Sequence, residues 1–129
     1  MFRLVKSLSN DSISENVVEM NVKINGSPII GSALTCTNNI LTTTNADAAP
    51  DYILKSSQKS NGTKCCSTVT SDMIFKVEYV SAMTPKIGMK VAIADKDGVA
   101  DAVSYNSNGK GVIVGIVNKN MVYVRFQKS

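Results

Sequence analysis

Apolar and polar positions alternate with a period of two through most of the second half of this chain. From 73 to 80, Met73, Phe75, Val77 and Tyr79 fall on one face and Lys76 and Glu78 on the other. That spacing predicts a strand with one face turned to a core. A loop follows, ending around Pro85, and Met89, Val91 and Ile93 then form the inner face of a second strand. Asp95 to Gly98 predicts a hairpin turn, with Val99, Asp101 and Val103 running back, and Ser107 to Gly109 predicts another turn. Residues 111–117 are almost wholly apolar, as in a strand covered on both faces. Asn118 to Asn120 makes a tight connection into 121–126, where Tyr123 shares a face with Arg125 and Phe126 points the other way, into a core.

The first half is less regular. Val18, Met20, Val22 and Ile24 alternate with Glu19, Asn21 and Lys23, which predicts one amphipathic strand over 17–24, closed by the turn pair Asn25 and Gly26. Threonine-rich strands over 28–36 and 39–44 are split at Asn38 and Asn39. Ala46 to Pro50 reads as a helical turn or loop stopped by proline, and Tyr52 to Leu54 as a short buried strand or the end of that turn. Residues 58–64 form a polar loop with Asn61 and Gly62 at its tip, and 65–69 resume a strand. Residues 1–15 have weak periodicity and read as an extended arm, disordered alone and ordered against a neighbour. The alternatives are a frayed terminus or a first strand pairing within the domain. The resulting expectation is an all-β fold, mainly β with little helix: a small β-barrel or sandwich of short antiparallel strands over 16–129, preceded by the arm.

Composition narrows the chemistry. With 129 residues, 43% hydrophobic and 19% charged, the chain has the balance of one soluble globular domain. It has no run long and apolar enough for a membrane helix. Residues 1–10 carry charges within their apolar stretch and lack the continuous core of a signal peptide. The expected setting is therefore a cytoplasm, or release by lysis. Histidine is absent, which removes Ser-His-Asp and Cys-His catalysis and most zinc enzyme sites. Cys36, Cys65 and Cys66 are an odd set with no C-x-x-C spacing, so reduced thiols are expected rather than a disulfide framework or a metal site.

The remaining motifs are structural. Asp95, Asp97 and Asp101 lie at a hairpin without the closing glutamate and flanking helices of a calcium loop. Asn108 to Gly111 lacks the strand-to-helix setting of a phosphate loop, and its glycines serve the turn. The sequons at Asn10, Asn25 and Asn61 have no secretory context. No pair of carboxylates is focused for acid–base work. An enzyme is not expected, and neither a cofactor nor a metal is expected. Lys110, Lys119, Arg125 and Lys128 leave the last strands basic; lysines that blunt exposed strand edges account for this, while a nucleic-acid face would need aromatic platforms beside them.

The order of these pieces resembles small bacteriophage head (capsid) decoration proteins. In that family a T/S-x-D-M-I/V-F-x-V strand, here Thr70 to Val77, leads to K-x-G-x-x-V, here Lys86 to Val91. The chain then closes with G-K-G-V-I-x-G-I-V and V-x-V-R-F, here 109–117 and 122–126. The likeness covers about Thr70 to Phe126 and extends loosely to Gly31, Ala46 to Ala49 and Tyr52 to Leu54. It implies a non-enzymatic virion protein, assembled in the bacterial cytoplasm, that binds the major capsid protein on the outer surface of the shell and stabilises it. Members sit at local symmetry points, often as trimers, so a homo-oligomer is expected, with no membrane and no direct nucleic-acid contact. The arm residues Phe2, Arg3, Leu4 and Val5, together with the loop residue Met83, are the expected contacts with the capsid or a neighbouring subunit. A head–tail or tail component is the alternative of the same class, and a small nucleic-acid-binding barrel the alternative from another.

Overall fold

The computed structural model describes residues 1–7, 16–56 and 62–128. Among them the chain is all-β, with no helix. In chain order the strands are β1 (Arg3–Ser7), β2 (Val17–Met20), β3 (Lys23–Asn25), β4 (Ala33–Thr37), β5 (Ile40–Thr43) and β6 (Tyr52–Leu54). They continue with β7 (Lys64–Thr68), β8 (Met73–Tyr79), β9 (Lys90–Ala94), β10 (Ala102–Tyr105), β11 (Gly111–Asn118) and β12 (Met121–Phe126).

The strongly patterned second half closes on itself. Strands pair in the order β8-β10-β9-β11-β12, and β12 returns to β8, giving a closed five-stranded barrel. Its hairpins are antiparallel, and β10 runs parallel to β8 through Ala102 opposite Glu78. Met73, Phe75, Val77 and Tyr79 all point inward, as their alternation requires, and meet Val91, Ile93, Val103, Ile113, Val122, Val124 and Phe126 in one core. β11 departs from expectation. Gly111 and Ile113 are buried, Val112 and Val114 on the other face are half-buried, and Ile116 and Val117 at the strand's end are exposed, so the strand is not covered on both faces. Its last residues extend past the stretch paired with β9.

The expected arm is corrected. β1 pairs antiparallel with the first half of β8, while β10 takes the second half of the same edge, so β1 completes the barrel wall. Phe2 is 1% exposed and packs edge-to-face on Phe75 and tilted against Phe126, at centroid separations of 6.3 and 5.7 Å. Its backbone N–H donates to the Gly31 carbonyl at 2.9 Å. Three phenylalanine rings meeting in a mainly aliphatic core form an anchor, and the residues that could reveal it in sequence lie far apart along the chain. Residues 8–15 of the expected arm lie outside the described residues, as do 57–61 of the expected polar loop and the sequons' Asn10 and Asn61.

The first half builds a second sheet, in the order β2-β7-β6-β4-β5-β3. The expected single strand over 17–24 is two strands, because β2 pairs with β7 and β3 pairs in parallel with β5 at the opposite edge. Only Asn21 and Val22 separate them, a reach of about 11 Å at most. The sheet must therefore curl until its two edges nearly meet. Its concave face holds Leu34, Leu41, Leu54 and Cys66, flanked by Met20, Val22, Ile24, Cys36 and Tyr52. At the seam the buried Lys64 ammonium donates to the carbonyls of Val22 and Gly62. The two-residue turn between β4 and β5 needs positive φ at both positions, and Asn38 and Asn39 supply 53° and 62°.

The two bodies share a boundary. Ala33, Ile53 and Val69 of the first half belong to the barrel core. The Ala33 N–H donates to Ala100, and Lys128 Nζ reaches the Pro50 carbonyl and Asp51. Asp101, expected on a strand, instead holds the preceding loop. Its buried carboxylate accepts N–H groups of Lys96, Asp97 and Gly98 at 2.8, 3.1 and 2.9 Å.

Candidate docking surface

The outer wall of the barrel can be laid out from register alone. Residues that alternate with the core-facing set point outward, and paired residues stand side by side. One row across the wall runs Lys6 on β1 and Ile74 on β8 and, one residue beyond the Val124–Phe75 pair, Arg125 on β12, Val112 on β11 and Lys90 on β9. The next runs Arg3, Lys76, Tyr123 and Gly115. Both rows carry cations and apolar side chains and no carboxylate. A third row begins with Glu78 beside Met121, and Glu78 is paired with the Met1 ammonium.

Two irregularities shape this wall. β1 carries a bulge between Leu4 and Lys6, so Val5 is an extra residue and its side chain joins the outer face. β11 shifts register between Ile113 and Gly115, which leaves Val114 over the same region. The outcome is a groove of about 410 Å³ lined by Val5, Lys6, Ile74, Val114 and Tyr123. Ile74 faces outward yet is only 8% exposed, because these neighbours cover it. Tyr123 lies against the backbone of Gly115, where a Cβ would come within 2.8 Å of the ring carbon Cδ2. A side chain there would push the ring off the groove.

A second feature lies at the end of the barrel where β8 stops. The 80–89 loop leaves beside Asn120, whose carbonyl accepts the Tyr79 N–H, and rejoins the wall where the Gly88 N–H donates to Ile113. Tyr79 Oη donates to the Met83 carbonyl at 2.7 Å and fixes the middle of the loop. Large apolar side chains stand exposed here: Val80, Met83 and Ile87 on the loop, Ile116 and Val117 on the neighbouring hairpin. Ile87 is 69% exposed and Met83 49%.

The sequence-predicted contacts separate accordingly. Phe2 is in the core and cannot reach a partner from the folded domain, which corrects its assignment. Leu4 is half-buried against the same core. Arg3 is exposed on the outer wall, with its Nε directed at Met1 Sδ at 3.3 Å. Val5 lines the groove, and Met83 sits at the barrel end. Sequence reading missed Lys6, Lys76, Ile74, Val114 and Tyr123 as one surface, although the alternation of Lys76 with the core residues of β8 already assigned it to the outer face.

The remaining polar groups serve the fold. Of the basic C-terminal residues, Arg125 Nε donates to the Ser71 carbonyl at 2.8 Å and Lys128 pairs with Asp51 at 3.0 Å. Burial pushes the Asp101 carboxyl up, but the N–H groups of Lys96, Gly98 and Asp97 and the Met1 ammonium outweigh it and hold the pKa below 3.8. Burial pushes the Cys66 thiol up to about 11, despite the opposing charge of Lys64. Among the described residues, no three His, Cys, Asp or Glu side chains are grouped as metal ligands. No family model matches this chain, and no curated protein resembles it at a significant level.

Proposed function

We propose that this protein is a non-enzymatic virion component that binds the outer surface of a phage capsid and stabilises the shell. The observation that carries the reading is the exposed apolar end of the barrel, with Val80, Met83, Ile87, Ile116 and Val117 on two neighbouring connections. Single exposed aliphatic residues are ordinary, but a gathered set on a soluble surface marks a contact site. The order of strand motifs from Thr70 to Phe126, which resembles capsid decoration proteins, supports the same reading. Its partners are then the major capsid protein and neighbouring copies of this chain at local symmetry points, with a trimer as the reference case. Many modest contacts repeated over a closed shell add up to large stabilisation, because each bound copy favours the intact lattice.

The test is to add the purified chain to capsids that lack it and to count bound copies per shell subunit after sedimentation. The expected result is saturation at one copy per subunit or a simple fraction of it. Ile87→Asp combined with Met83→Asp should abolish binding while leaving the melting temperature within about 2 °C, since both side chains are solvent-facing. Failure of the unmodified protein to bind, or undiminished binding by the double variant, would overturn the proposal.

A further inference from the structure

The barrel end is not the only surface built for contact. We infer that the outer wall around Tyr123 is a second docking site, and that its occupant is an acidic protein segment carrying an aliphatic or aromatic anchor side chain.

Charge is the first argument. Arg3, Lys6, Lys76, Lys90 and Arg125 occupy the two adjoining rows of the wall, and neither row contains a carboxylate. Among the described residues, Lys6 and Lys76 have no ion-pair partner. The nearest outward acid on β8, Glu78, is already engaged by the Met1 ammonium. Arg3 and Lys76 stand directly opposite each other on neighbouring strands, a mutually unfavourable pair of like charges, and a partner bearing carboxylates relieves it. Charges of this kind at the rim of a site set the encounter rate and the choice of partner.

The floor is the second argument. Between the cations lie Val5, Ile74 and Val114, with the Tyr123 ring at one side. The space is enough for one large side chain to leave water, in the usual pattern of an apolar floor with a few polar groups around it. The two register shifts that create the floor act together. Without the bulge in β1, Val5 would not be an extra residue on this face, and without Gly115 the ring could not lie against the wall.

The floor also decides between acidic partners. Single-stranded nucleic acid is held by successive aromatic platforms along a basic track. This wall offers one ring, with one of its faces already against Gly115, and three aliphatic side chains. An aliphatic floor receives an aliphatic or aromatic side chain, so the wall matches a peptide. The inference stands apart from the capsid proposal, since the acidic segment can belong to a shell subunit or to any other protein.

The test uses the full chain, isotope-labelled for amide shift mapping. The first probe is the peptide Glu-Leu-Asp-Phe-Glu-Leu-Asp with blocked ends; the second is an oligothymidylate of matched charge. The expected result is saturable peptide binding with shifts centred on Val5, Ile74, Val114 and Tyr123, weakening as salt rises. Lys6→Glu with Lys76→Glu should lower the affinity about tenfold or more, whereas Lys23→Glu, the same kind of change on the second sheet, should alter it by less than about twofold. The melting temperature of each variant verifies the fold, and the salt series on the unmodified protein gives a reading that needs no variant. Peptide shifts elsewhere, no binding at about 1 mM, or tighter binding of the oligothymidylate on this wall would each overturn the inference.

Discussion

The barrel and the curled sheet are both six-stranded when β1 is counted, yet they are held in different ways. The barrel closes through a direct β12–β8 pairing, and its core includes three phenylalanine rings and a continuous set of aliphatic residues. Among the described residues, the curled sheet's own core cluster has four buried members, one of them a cysteine, and its seam is bridged by a lysine ammonium on two backbone carbonyls. Stability in the first is spread over many apolar contacts. In the second it rests on fewer contacts and on polar groups that must stay satisfied. Local opening free energies follow buried apolar contact, so the sheet is the softer region, provided that it can open without the barrel.

The largest expected effect is in the barrel. Phe2→Ala removes one of three rings in mutual contact and leaves a cavity in a closed core, which costs about 3–5 kcal/mol. Had the N-terminal residues been a free arm, the same change would leave the melting point unmoved, so a denaturant titration separates the two pictures at once. Leu41→Ala tests the sheet and should cost about 2–4 kcal/mol. If the two bodies form one cooperative unit, both variants shift a single transition by these amounts. A transition that splits in Leu41→Ala alone would show the sheet melting separately.

Much of the barrel was legible because each of its strands announces itself locally. β8, β9 and β12 have strict alternation, and their inward residues are the ones the period selects. What could not be read was closure. Nothing near Met121 says that it will lie beside Glu78, and nothing near Phe2 says that its ring will meet Phe75 and Phe126. β1 was obscured for a physical reason: its bulge leaves Val5 and Lys6, consecutive in sequence, on the same outer face, which breaks the period of two. The run over 111–117 departs in the opposite sense, because the residues on its outer face are apolar without being fully buried. In the sheet, Val17 to Asn25 keeps its alternation across the corner at Asn21 and Val22. Period alone cannot register that the chain changes partners there. The docking wall was half legible. Its cations were visible as outward residues, but their assembly with Ile74 and Tyr123 depends on the register of four strands.

Asp101 offers the next test, at the boundary between the two regions. Asp101→Asn retains an acceptor for some of the three N–H groups but loses the charge, and should cost about 1–3 kcal/mol. The pH dependence follows from its lowered pKa. The folded state binds a proton more weakly than the unfolded chain, so the stabilisation is complete above the ordinary value of 3.8. It fades as the pH falls from there through the folded value. The unmodified protein should therefore lose stability more steeply than Asp101→Asn below about pH 4. Identical acid slopes would mean that the loop is held by other groups.

The smallest effect, and the sharpest test of the comparison, is the reactivity of Cys66. The thiolate is the nucleophile, and raising the pKa from 9.0 to about 11 lowers its population at neutral pH about a hundredfold. The thiol is also fully buried in the concave face of the sheet, so iodoacetamide can reach it only when the sheet opens. Its labelling rate in the native protein thus measures the opening of the softer region. Ala33, Ile53 and Val69 contribute to the barrel core, and the Phe2 N–H is bonded to Gly31 at the start of the sheet. These links favour joint opening. Phe2→Ala should then speed Cys66 labelling by the same factor as it lowers the global equilibrium constant for folding. An unchanged rate in that variant would show the sheet opening on its own, with the barrel intact beside it.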